Sequence, residues 1–434
     1  MDCTFTDNYA RYSGGGVANV PHMTGCTFVN NSSGQHGGAY YGGDRSDFNA
    51  RFPLIENCTF IGNSVSGTSM HGGAMQIKNG CGLVTNCTFI GNSSNGDNGG
   101  ALHYAAQVVD CTFLENYAAI NGGALNSVDH VVACKFFGNS AGSGGGAAYS
   151  VSDFMSCQFV GNSAANGGAL YYSTTVSNCL FAGNAATTSG GAIHFGTSGA
   201  KSTDRLVVDS VITNNTAGGS GSYVGGGGIM IWSDSSDSSR MLTLRNCLVA
   251  DNAVTNSNGC GSGAILMGRS TTASIVVESC TFVGNRATNG SAGGVYVWPN
   301  NNDATYFTNT IIAANFKSDG SYASALSSVY GSSLQKMVDN LSYCLIHPIQ
   351  SGNVAEDQHV VNTTVSPQFR RGTFVPSPHS PAINAGLVFP WMTGAYDLQR
   401  DAAGNPTTSR IYGAGVDIGA FEYTPSGGLM FLFY

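Results

Sequence analysis

The chain has 434 residues, enough for a large core, yet only 10% of them are charged and 61 are Gly. Ordinary proteins carry roughly 25% charged residues and about half that share of Gly. The net charge of −8 argues against a nucleic-acid-binding surface and against attachment to an anionic membrane face; no run reaches the ~18 apolar residues of a membrane span.

From the first residues onward one pattern recurs. MDCTF begins mid-pattern, without the hydrophobic region of a secretory signal, so the expectation is that the amino end continues upstream of residue 1. Cys3, Cys26, Cys58, Cys87, Cys111, Cys134, Cys157 and Cys179 each open a copy, Cys247 and Cys280 open two more, and Ser210 and Thr310 hold that place in two degenerate copies. Two positions on stands an apolar residue, Phe in most copies, such as Phe60, Phe89 and Phe113. Five positions on stands Asn in all twelve: Asn8, Asn31, Asn63, Asn92, Asn116, Asn139, Asn162, Asn184, Asn215, Asn252, Asn285 and Asn315. Most copies then carry a Gly pair and a small residue, as GGA at 37–39, 72–74, 99–101, 122–124, 167–169 and 190–192.

The period is 22–24 residues where copies are tight and 29–37 where they are not, which marks a solenoid. Cys-Thr-Phe reads in-out-in, the alternation of a strand, and no helical stripe persists. Short strands closed into turns of ~23 residues make the coils of a parallel β-helix, stacked ~4.8 Å apart. Equivalent positions then become ladders: stacked Phe rings in the core, Asn amides bonded rung to rung, Asn at left-handed corners and Gly pairs where backbones approach. Eleven of the thirteen Cys start strands, all but Cys81 and Cys260. Without a CxxC pair, zinc has little support. The Cys column is expected to be reduced and buried, acting as small hydrophobes.

Extra residues fall between the GGA strand and the next Cys strand, near 42–56, 197–205, 233–240 and 299–305, and hold much of the charge: Asp44, Arg45, Asp47, Arg51, Asp204, Arg205, Asp234, Asp237 and Arg240. Coils between 87 and 179 stay short, predicting a shallow saddle walled by loops. On its floor the second residue after each GGA is expected to point outward: His103, Asn126, Tyr149 and Tyr171, with Gln76 and His194 at the rims. Asp129, His130 and Asp153 are expected in turns beside them. Aromatic faces beside amides and carboxylates suit sugar rings; the alternative is that these side chains merely fill a β surface.

Two motifs coincide through the repeats, FxxN as in FIGN at 60–63 and FVGN at 159–162, and GGA[LI] as in GGAL at 99–102 and GGAI at 190–193. Together they resemble the repeats of the bacterial polymorphic outer membrane proteins, over roughly residues 1–316. The resemblance implies a right-handed parallel β-helix on a bacterial surface or secreted from it, with adhesion as the expected activity. The autotransporter barrel of that family does not follow. Instead SPAINAG at 380–386, DLQRDAAGNP at 397–406 and DIGAFEY at 417–423, led in by VSPQFRRGTF at 365–374, resemble the closing module of choice-of-anchor Q surface proteins. That family places a surface anchor next; here the chain reads TPSGGLMFLFY. Asp397, Asp401, Arg410, Asp417 and Glu422 are expected to form buried ion pairs and turn caps in that module rather than a cation site.

The expected architecture is therefore all-β, a right-handed parallel β-helix of about 12–13 coils over residues 1–345 and a small capping module over 346–434. The expected function is that of a non-enzymatic, adhesin-like or structural protein of the cell surface or extracellular space. It would act as a monomer on a polysaccharide or host-cell-surface ligand through His103, Asn126, Tyr149, Tyr171 and His194. No metal or cofactor is expected, since no HExxH or phosphate loop occurs. The alternative is a polysaccharide lyase or glycoside hydrolase on a pectate-lyase-like β-helix. In that case Asp129 and Asp153 are the candidate catalytic pair, because glycoside hydrolysis usually needs two carboxyls.

Overall fold

The structure, a computed structural model, describes residues 2–42, 53–78, 81–196, 204–219, 225–232, 241–255, 261–267, 274–288, 292–297, 305–317, 326–328, 340–347, 360–362, 367–369, 373–399, 405–411 and 416–422. Most of the long loops named above, with Asp44, Arg45, Asp47, Arg51, Asp234, Asp237, Arg240, Asp401, Cys260 and the terminal GLMFLFY, lie outside the described residues. By its contacts the chain divides into two compact units, Met1–Ser198 and Gly199–Tyr434. Among the described residues there is no α-helix, and no helix long and apolar enough to cross a membrane.

The first unit is a right-handed parallel β-helix. One of its sheets stacks Thr4–Thr6, Thr27–Val29, Thr59–Ile61, Thr88–Ile90, Thr112–Leu114, Lys135–Phe137, Gln158–Val160 and Leu180–Ala182 in parallel. The register places Phe on Phe from coil to coil. The rings from Phe5 to Phe181 stack with centroids 4.6–4.9 Å apart and planes within 6°. A second sheet holds the short strands after each Asn, such as Ser93–Ser94 and Tyr117–Ala118. The third holds the strands after each Gly pair, such as Met75–Ile77 and Leu170–Tyr171, and those leading to each Cys, such as Leu83–Thr85 and Thr175–Ser177. In two tight coils these last two merge into Leu102–Val109 and Leu125–Val132.

The Asn ladder forms as the repeat predicts. Asn139 Oδ1 accepts from Asn116 N and Nδ2 at 3.0 and 2.9 Å, and Asn139 Nδ2 donates to Asn162 Oδ1 and Phe113 O, both at 3.0 Å. The corner itself differs from expectation. The left-handed residue is the one before each ladder Asn, as at Asn30, Gly62, Gly91, Glu115 and Gly138, with φ between 52° and 62°. The ladder Asn is thereby aimed inward, where its amide closes the coil. Asn139→Leu removes four hydrogen bonds and strands buried partners above and below. Its expected cost is about 3 kcal/mol, read as a lower urea midpoint at unchanged slope; a midpoint equal to the parent's would deny the ladder its role.

Two other repeat positions gain a physical reason. Gly122 sits at φ +67°, which favours Gly, and a Cβ on Gly123 would collide with the carbonyl oxygen of Gly146 in the next coil. The described cysteines are free, and the column is more than hydrophobic filling. Each thiol donates to the carbonyl two residues back, Cys87 to Thr85 at 3.2 Å and Cys111 to Val109 at 3.2 Å. It also accepts from the preceding coil, Cys87 N to Cys111 Sγ at 3.4 Å. Ser210 and Thr310 make the same bond, to Val208 and Thr308 at 2.7 and 2.9 Å, so hydroxyl residues substitute for Cys because the corner needs a donor there. Burial, then the neighbouring sulfur, holds the Cys111, Cys157 and Cys247 thiols far above the usual range.

The second unit repeats the coil, with Val211–Thr213, Leu248–Ala250, Thr281–Val283, Ile311–Ala313, Cys344–His347 and Val360–Asn362 paired in parallel. The closing module lies along their outward face, covering a flank. Val375, Leu398, Ala420 and Phe421 pack on Leu248, Ala250 and Val283, while Ala382 and Ile418 pack on Ile311, Ala313 and Leu345. Asn246 Nδ2 donates to Tyr396 O at 2.9 Å, and Thr281 Oγ1 accepts from Ala420 N at 3.0 Å. The reason is in the coil sequence: flank positions held by Thr in the early coils of the first unit are Leu248, Ile311 and Leu345 here. The module's interior is polar. Arg410 is fully buried, 3.0 Å from Glu422, and also donates to Asp417 O and Gly419 O. Asp397 accepts from the backbone of Gln399 and Glu422, both at 2.8 Å, and Asp417 from Asn384 N at 2.7 Å. This is the buried ion-pair and turn-capping arrangement expected of these residues.

Candidate functional site

The residues singled out after each Gly pair form one in-register row in the first unit. Tyr41 pairs with Gln76, Gln76 with His103, His103 with Asn126, Asn126 with Tyr149, Tyr149 with Tyr171 and Tyr171 with His194. Leu102, Leu125, Ala148, Leu170 and Ile193, one residue earlier, enter the core. Exposure departs from expectation: His103, Asn126 and His194 are 4%, 3% and 7% exposed, whereas Tyr149 and Tyr171 are half-buried. Strand alternation sets the direction of a side chain but not what covers it. Here neighbouring rungs stack on one another, and the next residue, in left-handed conformation at Tyr104 and Tyr172 (φ 61° at both), folds its ring back over the row.

Two aromatic groups result. At one end Tyr171 and Tyr172 stack at 4.0 Å with hydroxyls 3.1 Å apart. Tyr149 lies 5.6 and 5.3 Å from these rings, and His194 lies 4.7 Å from Tyr171. Gly144 and Gly196 leave the space these rings occupy, since a Cβ on either would run into them. Burial, then the Tyr172 hydroxyl, raises the Tyr171 phenol well above its usual range. At the other end His36, His71 and His103 are in sequence contact, 5.6 and 4.2 Å between rings, with Tyr41 6.2 Å from His36 and Tyr104 stacked on His103 at 4.0 Å. Asp97 stands 3.7 Å from His71. Burial holds all three imidazoles below their ordinary value, and the neighbouring imidazoles add to this at His36 and His103. Among the described residues no group of three or more His, Cys, Asp or Glu is placed to hold a metal ion.

Asp129, His130 and Asp153 are on strands, not in turns: Leu125–Val132 holds the first two and Asp153 opens Asp153–Met155. In-register pairing brings His130 onto Asp153, with Nδ1 and Oδ2 2.6 Å apart at the surface. Asp153 is thus engaged by an imidazole, and Asp129 is exposed on the strand beside it. A carboxylate-held imidazole is one part of a general base; the two free carboxyls of a glycosidase are a different arrangement. Sequence reasoning missed His36, His71, Tyr104 and Tyr172. HGGA is spelled at 36–39 and again at 71–74, so the first two were readable as a ladder of their own. The two tyrosines depend on a left-handed turn that the repeat does not announce.

Residues 178–196, one coil with its FxxN and GGAI segments, match the Chlamydia polymorphic membrane protein repeat. No curated protein and no solved structure is significantly similar to the chain.

Proposed function

We propose that the protein is a non-enzymatic, adhesin-like β-helix protein of a bacterial surface or its surroundings, which holds glycans weakly along one face of its first unit. The observation that carries the reading is the half-buried cluster of Tyr149, Tyr171 and Tyr172, set in register with polar rungs on a rigid stack. Such rings offer flat faces to sugar C–H groups while hydroxyls and amides meet sugar hydroxyls. The repeat match at 178–196 supports surface placement, because that repeat is named for membrane proteins. In this reading residues 1–345 form the binding solenoid, acting as a monomer, and 346–434 a closing module that resembles those preceding surface anchors. A shallow face binds each sugar weakly and gains from repetition along a polymer.

Replacing Tyr149 and Tyr171 with Ala is expected to lower retention on a responding polysaccharide at least about tenfold, ~1.4 kcal/mol, with the coil core intact. A glycan array with reducing-sugar release measured alongside checks this. Retention equal to the parent's on every glycan defeats the reading. Release of sugar that Asp129→Asn or Asp153→Asn abolishes replaces it with the lyase or hydrolase alternative, for which the His130–Asp153 pair would be the starting point.

A further inference from the structure

Three consecutive rungs run from the histidine group toward the tyrosine cluster, Gln76, His103 and Asn126, only 6%, 4% and 3% exposed. Each has a buried polar atom without a hydrogen-bond partner: Gln76 Oε1, His103 Nδ1 and Asn126 Nδ2. Buried polar groups are normally paired, and each unpaired one is costly. The fold does not demand them. In the second unit the same row is Met230, Leu266 and Tyr296, apolar and closely packed. Elsewhere in the first unit the ladder asparagines are bonded on both amide atoms. Three successive rungs, each with one unsatisfied buried polar atom although Asn126 Oδ1 accepts from Ser127 Oγ at 2.8 Å, on the face that carries the tyrosines, mark this row as a place of recognition.

We infer that Gln76, His103 and Asn126 form a covered subsite for a linear, uncharged polysaccharide lying along the coil stack, with one sugar residue per rung and the Tyr104 ring as its cover. This rests on the glycan reading above and narrows it. The row offers an acceptor, a nitrogen that accepts or donates according to tautomer, and a donor, ~4.8 Å apart from rung to rung. Hydroxyls meet all three, since each both donates and accepts. A sugar residue in an extended chain is close to one strand spacing long, so the register can hold over successive coils. An extended peptide is a poor occupant. It would need a free strand edge, and these residues lie within the sheet, paired on both sides. Among these three rungs only His103 has such a cover: Tyr104 is 37% exposed and stacks on it. The matching left-handed residues of the next two coils are Ser127 and Ser150, too short to reach over their rungs. A bulky side chain at positive φ is strained, and swinging its ring aside opens His103.

The test uses the full chain with cellohexaose, xylohexaose and maltohexaose as neutral probes and hexagalacturonate as the charged one. Gln76→Met keeps the shape and removes the unpaired acceptor. It is expected to leave thermal stability unchanged or raised and to weaken the responding neutral probe about tenfold. Tyr104→Gly is expected to speed association severalfold. If Tyr149→Ala weakens a neutral probe while Gln76→Met binds it as the parent does, the subsite is wrong and the tyrosine face stands. Loss of stability in Gln76→Met means the rung is structural and overturns the subsite. Preference for hexagalacturonate overturns the uncharged ligand, and an unchanged association rate in Tyr104→Gly overturns the cover. If no probe binds the parent, subsite and glycan reading fall together.

Discussion

Arg410→Met frees the closing module from the flank of the coils while the coils stay folded. Among the described residues the guanidinium is the one cation in a cluster that also holds Asp397, Asp417 and Glu422, and it is fully buried. Burial pushes the Glu422 carboxyl up to about 9 and Asp397 up to about 6, with Arg410 opposing both shifts. Removing one partner of a buried pair costs about 3–5 kcal/mol. Because Glu422 can stay protonated, the lower part of that range is expected, together with the loss of donors to Asp417 O and Gly419 O. Undocking bares Leu248, Val283, Ile311 and Leu345. The variant should bind a hydrophobic dye and be cut by protease within 373–399, while amides of Val211–Thr213, Leu248–Ala250, Thr281–Val283 and Ile311–Ala313 keep their exchange protection. Resistance equal to the parent's would mean the apolar contacts hold the module without the Arg410 guanidinium. Both carboxyls have folded values above their unfolded ones, so the stability they lend is full in acid. It is lost as pH rises, through about 6 for Asp397 and about 9 for Glu422.

The first unit responds to pH in the opposite sense. His36, His71 and His103 touch in series, with Asp97, Lys78, Tyr41 and Tyr104 as their titratable neighbours. Their folded values lie below 6.5, so an opened state binds protons that the folded state refuses. Their contribution is whole above pH 6.5 and declines as pH falls below it toward the folded values. His103 is the most buried, and each proton taken up on opening tilts the opening free energy by about 1.4 kcal/mol per pH unit. The partly exposed His36 and His71 add less, because solvent screens them. Hydrogen exchange at residues 71–104 should therefore accelerate in acid, and His103→Gln should flatten that dependence. A slope identical in parent and variant would remove His103 as its source.

How far the sequence reached depends on what a repeat encodes. It tells which residues stack, so the Phe column, the Asn ladder and the Cys corners were legible from spacing alone. It is silent on what lies over a row, which is why His103, Asn126 and His194 were expected in the open and are buried. The Asp153–His130 contact follows from register: once Val131 is set on Phe154, His130 falls on Asp153. The docking of the module was half written. Leu248, Ile311 and Leu345 stand where strand alternation calls for outward polar residues, an apolar row awaiting a cover. Which segment covers it depends on irregular turns in 373–399, 405–411 and 416–422 that carry no period.

The Cys corner has one more implication. Because each corner bonds to its own coil and to the adjacent one in the same way, and because register is identical from Thr4–Thr6 to Leu180–Ala182, a coil copied or removed in that run would leave each remaining corner an equivalent partner. The stack is therefore one that whole units would lengthen or shorten, as one adds rungs to a ladder of fixed gauge. The length of the face is then a counted quantity, set by the number of coils and independent of the chemistry of any single rung.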